Sequence, residues 1–518
     1  VPLRGDCAER SARTAVPVKC LRARMTGRDM HETPQGINRG DTAIALGEMD
    51  FAPPAEHHKR RDETRASNVP AGSLGSSLKQ RHVVMLSIGG SIGAGLFVGS
   101  GHAIAEAGPG AIIAYLLASL LVVLVMRMLG EMACAMPDSG SFSTYAGRAI
   151  GPWAGFMIGW MYWWYWVLVL PLEATAAANI LNSWFPQIEV WKFCVAVTLT
   201  LTITNLASVK HYGELEFWFS VVKVAAIILF IVGGVAAIVG VIPGVHVNVS
   251  GNVFGQGGFL PRGYAPIAGA MLTTMFTFLG TEVVTIAAAE SANPEKEISR
   301  AISSVVWRIS LFYIGSIFVI ISVVPWNAPE LTRIGSYQAV LQAIHVPYAK
   351  PLIDLLILVA VCSCLNSGLY TASRMIYSLG EKKQAPAIVK RTTRSGVPVI
   401  AVLASTSAAF AGCAANYLAP KYVFETLLST TGTMALLVYL VIAVSQLRMR
   451  RALIASNRLR VRMWLHPFLG LFVVALIVLA FLVMVCGQAH RSEVVSTLGL
   501  SAMLAITGML VERRRRKR

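Results

Sequence analysis

The sequence predicts an all-α polytopic membrane protein of twelve transmembrane helices, and three observations carry that expectation. Of its 518 residues, 55% are hydrophobic and only 14% charged, a balance foreign to soluble domains. The apolar residues are blocked into runs near the roughly 20 residues that cross hydrocarbon. The basic residues sort by loop. About sixteen lie in alternate loops or at adjoining span ends, among them Arg148, Lys210, Lys382, Lys383, Arg450 and Arg460, against about six in the others, such as Lys192, Arg262 and Lys350. The positive-inside rule turns the first set to the cytoplasm, and both termini follow it there.

The spans fall at residues 82–107, 110–136, 152–181, 190–208, 216–242, 264–289, 302–325, 351–379, 397–418, 422–447, 464–487 and 492–511. Residues 1–78 differ from the rest: polar, rich in arginine and without an apolar period, they read as a disordered cytoplasmic tail. The chain opens on Val1 instead of Met, so part of that tail is expected to be an over-extended gene start. The closing residues 512–518, "ERRRRKR", read as a basic cytoplasmic anchor for anionic lipid. The formal charge of +18 is thereby absorbed by topology, and no nucleic-acid partner is called for. Cys134, Cys194, Cys362, Cys364, Cys413 and Cys486 fall within spans, which argues against a disulfide framework, and no metal site is expected.

Span one is the weakest helix of the set. "SIGGSIGAGLFVGSG", residues 87–101, carries six glycines, each costing about 1 kcal/mol relative to alanine in a helix, in a solvent that offers unpaired backbone no water. Span six has a matching weak centre, Gly280 among two threonines and Glu282. Interrupted helices at corresponding places in two halves mark the binding site of many transporters. Free N–H groups beyond Gly93 and Gly95 suit a carboxylate, and free carbonyls near Gly280 suit an ammonium. Close helix packing through "GxxxG" is the competing reading of the glycines.

Charges inside spans need a reason, since each costs about 2.5 to 3.5 kcal/mol at mid-bilayer on insertion scales. Lys223 lies two turns into span five with no acid within four residues, and is the candidate for proton coupling, with snorkelling to the cytoplasmic face as the alternative. Glu282 is expected to neutralise Lys223, contact substrate or gate, or else to cap a helix. Glu131 follows Arg127 by one turn and is expected to form a local salt bridge with it. Glu173 and Asp354 either line an aqueous path or reach the outer interface. The run "WMYWWYW", Trp160–Trp166, surrounds its helix on all sides and reads as packing. There is no G-x-x-x-x-G-K-[ST] loop, so no ATPase subunit is implied, and no nucleophile–base motif suggests an enzyme.

The motifs "LSIGGSIGAGLFVGSG", "LGEMACAMPDSGSFSTYA", "FTFLGTEVVTIAAAESANPEKEISRAI" and "SCLNSGLYTASRMIYSL" resemble the amino acid/polyamine/organocation superfamily, and within it the bacterial amino acid transporter family. The likeness covers about residues 79–510. "MFTFLGTEVVTIAAAES", "WRISLFYIGSIFV" and "LVYLVIAVSQLRMR" are most like its 4-aminobutyrate (GABA) permeases. The resemblance implies a five-plus-five inverted repeat with broken helices 1 and 6, the first repeat over 82–242 and the second over 264–447, followed by two extra helices over 464–511.

It also implies a secondary transporter of the bacterial inner membrane, importing a zwitterionic amino acid, 4-aminobutyrate foremost, by proton symport, with no cofactor and the proton as coupling ion. Ser91, Gly93, Ala94 and Gly95 would meet the substrate carboxylate. Phe276, Thr277 and Leu279 would turn carbonyls to its ammonium, with Phe278 and Gly280 completing the segment and an aromatic ring gating it. Lys223 would stand where sodium sits in sodium-driven relatives. Glu290, Pro294 and Arg300 would form a gate-side turn. Asn366 and Ser367 are candidates for setting the length of substrate accepted, or for polar helix packing. An aromatic amino acid, proline or a basic amino acid as substrate, and an amino acid sensor without flux, remain open alternatives.

Overall fold

The structure is a computed structural model that describes residues 78–516 other than 79, 90, 91, 94, 279, 292, 419, 456, 458 and 487–490. The expected N-terminal tail, apart from Leu78, and the candidate site residues Ser91, Ala94 and Leu279 therefore lie outside the described residues. Among the described residues the regular elements are helical, and the one bridge pairs Leu78 with Ser291.

Span one is divided into α1 (Gln80–Gly89), a π turn (Gly95–Gly99) and α2 (Ser100–Ala107). Span two is α3 (Ala111–Ala135), followed by α4 (Ser141–Ala149), which is too short to cross. Spans three, four and five are α5 (Pro152–Trp184), α6 (Val190–Ala207) and α7 (Val209–Ile238). Proline opens α5, where its missing N–H costs nothing. Ser208 caps α7 by accepting the His211 N–H at 3.1 Å, as an N-cap serine should.

Span six is α8 (Ala265–Phe278) and α9 (Val283–Ala289). Span seven is α10 (Pro294–Arg308), a π turn (Ile309–Ile314) and α11 (Gly315–Val323). Two short helices, α12 (Glu330–Arg333) and α13 (Ser336–Ala343), lead to span eight, α14 (Ala349–Glu381). Spans nine to twelve are α15 (Val399–Leu418), α16 (Pro420–Ala455), α17 (Phe468–Cys486) and α18 (Arg491–Arg516).

Burial sorts these helices. Two thirds of the most apolar stretches of α5 and α14 are buried, against about a quarter of those of α6, α7, α17 and α18. The outer helices turn Leu229, Val232, Val239, Leu479 and Leu482 outward, all more than half exposed. An apolar exterior around a core that holds Glu131, Glu173, Glu216, Lys223 and Glu282 is the reverse of a soluble protein's economy and fits a chain solvated by lipid.

Glu131 does not pair with Arg127. Its carboxylate accepts from Gln446 Nε2 at 2.9 Å, Arg450 Nη1 at 2.6 Å and the backbone N–H of Met463 at 2.7 Å. Arg127 instead gives Nε to the Arg462 carbonyl at 3.0 Å and lays its guanidinium over the Trp464 ring at 4.2 Å. The i, i+4 partner loses because a carboxylate with no exposure needs several donors at once, and only α16 and the chain leading to α17 supply them.

Breaking a buried ion pair from one side costs about 3 to 5 kcal/mol. Glu131→Ala is therefore expected to lower the thermal midpoint of the detergent-solubilised protein by many degrees, and Arg127→Ala far less. Equal effects would restore the local pair.

Candidate functional site

The first interruption follows from glycine and from what presses on it. A Cβ built on Gly93 would lie 2.8 Å from Glu173 Oε1 and 3.0 Å from both Cβ and Sγ of Cys364. Only a residue without a side chain lets α5 and α14 close on the chain here. Side chains hold the main chain on either side. Lys223 Nζ donates to the Ile92 carbonyl at 3.2 Å, and Thr277 Oγ1 to the Gly95 carbonyl at 3.3 Å. The second bond joins the two interruptions to one another.

The second interruption turns on Gly280, whose φ of +95° is open to glycine and strained for other residues. Glu282 closes it from below. Its Oε1 accepts the Tyr162 hydroxyl at 2.8 Å and the Gly280 N–H at 3.3 Å, so a carboxylate stands in for a missing helical carbonyl. It makes no side-chain cap bond to α9, although it occupies the cap position. The Thr277 carbonyl accepts the Tyr313 hydroxyl at 3.1 Å. Phe278 is buried, its ring 4.5 Å from that of Tyr313 and 6.2 Å from that of Tyr115.

Lys223 is fully buried, which removes the snorkelling alternative. Besides Ile92 it donates to Ser363 Oγ at 2.7 Å. Glu173 is likewise buried and lies against Gly93, whereas Asp354 pairs at 2.6 Å with the exposed Lys350 near the start of α14. Asn366 and Ser367 face α6 and α7. Asn366 Nδ2 donates to Glu216 Oε2 at 3.2 Å, its Oδ1 accepts Asn205 Nδ2 at 2.8 Å, and Ser367 Oγ is 3.4 Å from the Tyr212 hydroxyl. The aromatic run splits as its lack of period requires: Tyr162, Tyr165 and Trp166 are buried, while Trp164 is well exposed.

Sequence reasoning assigned no partner to Arg374. It forms a buried ion pair with Glu290 at 3.0 Å and stacks 3.8 Å above the Tyr370 ring. That ring lies parallel to Tyr212 at 4.2 Å. Pro294 begins α10, and Arg300 sits out toward solvent, 3.8 Å from Glu297, so Glu290 alone of the expected turn enters this layer. Arginine inside the quoted "SCLNSGLYTASRMIYSL" was the available signal, because a guanidinium on an otherwise apolar helix demands a carboxylate.

The arrangement sets two main-chain interruptions in hydrogen-bond contact, with the Glu282 carboxylate at one and the Lys223 ammonium at the other. Among the described residues no three His, Cys, Asp or Glu side chains gather as metal ligands would.

Known proteins agree with this architecture. The family model "Amino acid permease" matches residues 82–509. A probable GABA permease of Pseudomonas aeruginosa is 58% identical, covering 86% of this chain and 94% of its own. The gamma-aminobutyric acid permease of Escherichia coli is 56% identical over 83% and 92%. A crystal structure of a mutant manganese transporter of Eremococcus coleocola superposes with a TM-score of 0.56 over 84% of this chain and 94% of that one. At 15% identity that likeness speaks for the fold alone.

The contact at Gly93 sets an expectation. Gly93→Val forces Glu173 and Cys364 apart and should cut solute uptake at least tenfold at unchanged membrane abundance. Gly233→Val, where a Cβ meets nothing within 4 Å, should leave uptake within twofold; equal behaviour of the two variants would remove the interruption from the site.

Proposed function

The chain belongs to the amino acid permease family, and from that premise we propose that it imports 4-aminobutyrate together with a proton across the bacterial inner membrane, by alternating access between two inverted five-helix repeats. It is a multi-pass membrane transporter of amino acids and not an enzyme. The observation that carries the finer reading is the contact between the two interruptions, Thr277 Oγ1 on the Gly95 carbonyl, with Lys223 on the adjacent Ile92 carbonyl. In this reading the repeats are residues 82–242 and 264–447, residues 464–511 supply helices 11 and 12, and both termini are cytoplasmic. Anionic lipid gathers at the basic inner loops.

The substrate carboxylate takes N–H groups of the first interruption, around Ser91, Gly93, Ala94 and Gly95. The ammonium takes carbonyls of Phe276, Thr277 and Leu279, with Glu282 close beneath them. The substrate assignment is supported by the names of the two permeases with more than half their residues in common with this chain. 4-Aminobutyrate separates its charges by more than an α-amino acid does, so the site must accept a longer dipole.

Lys223 serves as the proton carrier because its ammonium already holds the first interruption in place. Loss or gain of that proton changes how firmly Ile92 is held, which links protonation to the shape of the carboxylate site. With a net-neutral substrate each cycle moves one positive charge inward, and 100 mV then supplies about 2.3 kcal/mol, a roughly fiftyfold gradient.

Two measurements test this. Unlabelled 4-aminobutyrate should displace labelled 4-aminobutyrate from uptake at lower concentration than lysine, phenylalanine or proline; the reverse order would reassign the substrate. In proteoliposomes with an inside-alkaline pH gradient, Lys223→Met should lose at least tenfold in accumulation. Wild-type accumulation by this variant would end the lysine's role.

A further inference from the structure

Seven residues before Lys223 on α7 stands Glu216, with no exposed surface. Seven residues are nearly two turns, so both side chains share one face, about 10 Å apart along the axis. That face meets α14, and Ser363 sits between the two charges. Its hydroxyl accepts from Lys223 Nζ at 2.7 Å and donates to Glu216 Oε1 in a very short contact. Glu216 Oε2 accepts from Asn366 Nδ2, and Asn366 is itself oriented by Asn205 of α6. Both carboxylate oxygens are thus met by neutral donors, and one hydroxyl separates the carboxylate from an ammonium.

The other titratable and charged groups around the pair come from three helices and from the residue that follows α9. Glu173 of α5 and Cys364 of α14 lie in electrostatic reach of Lys223. Tyr212 of α7 lies in reach of Glu216 and also of Arg374 of α14 and of Glu290, which follows α9. Those last two neutralise each other in their own ion pair.

We propose that Glu216 is the proton-relay partner of Lys223, acting through Ser363. The Lys223 ammonium gives a proton to Ser363 Oγ as the serine's own proton passes to Glu216 Oε1. An N–H bond on Lys223 and the O–H bond of Ser363 break, a new O–H bond forms on Ser363 and another on Glu216, and an ion pair becomes a neutral amine and a neutral carboxylic acid. No oxidant or further reactant is needed. Neither end state leaves a lone charge in hydrocarbon, which lowers the cost of moving a proton through the site. Glu216 lies toward the N-terminal end of α7, the cytoplasmic end in the topology proposed above, so the relay also gives the proton its direction of release. The inference rests on Lys223 being the proton carrier.

The experiment measures, in proteoliposomes, the ratio of pH-gradient-driven accumulation to substrate exchange, together with substrate-evoked proton uptake. Glu216→Gln keeps the shape and removes the proton acceptor; the ratio should fall at least tenfold and proton uptake should disappear. Ser363→Ala, which leaves both charges and cuts the bridge, should do the same. Glu216→Asp keeps the charge but is one methylene short of Ser363, and should also uncouple, which a merely structural charge would not predict. A wild-type ratio in Glu216→Gln, or in Glu216→Asp should the glutamine variant fail to insert, overturns the inference. Lys223→Met run alongside separates the failures: an uncoupled lysine variant beside a coupled Glu216→Gln removes the relay alone, whereas a coupled lysine variant removes the premise as well.

Discussion

An unpaired peptide group in hydrocarbon costs several kcal/mol, and the interior of this molecule is arranged around two places where helices leave such groups behind. Neither interruption is left to itself. The carbonyls of Ile92 and Gly95 take an ammonium and a threonine hydroxyl, the Gly280 N–H takes a glutamate oxygen, and the Thr277 carbonyl a tyrosine hydroxyl. These donors and acceptors come from α7, α8, the π turn of span seven and the link to α9. The interruptions are therefore joints between helices, and a change in any of these side chains is felt by the main chain at the site.

Charge is handled by the same logic. Buried carboxylates meet their partners in layers: Glu282 with Tyr162 at the second interruption, Glu216 with Ser363 and Asn366 further along, Glu290 with Arg374 beyond the Tyr212 and Tyr370 rings. In each layer the partner comes from a different helix, so the pairs fix helices against one another as well as satisfying charge.

Much of this was legible in the residues. Apolar runs located the spans, since hydrocarbon thickness is a length that composition must match. Glycines beside polar residues located both interruptions, and the rarity of lysine in a span singled out Lys223. What stayed hidden was pairing across distance. Glu131 had a plausible neighbour in Arg127, while its true partner Arg450 lies 319 residues away. Glu216 fell at the edge of span five, where a solvated carboxylate needs no explanation, and Ser363, 147 residues on, is an ordinary serine until the helices meet. The short helices α4, α12 and α13 escaped because a hydropathy reading of spans has no word for a helix that does not cross.

The carboxylate of Glu131 draws its donors from α16 and from the main chain at Met463, just ahead of α17. The last two helices, which touch neither interruption in the contacts described, are thus tied to the second span through the chain that leads to them, by the Met463 N–H on Glu131 and by the Arg462 carbonyl and Trp464 ring on Arg127. A gene truncated before those codons would cost Glu131 one of its three donors and Arg127 its contacts at Arg462 and Trp464 while leaving both interruptions untouched, so selection on these outlying helices acts through assembly, long before any cargo arrives.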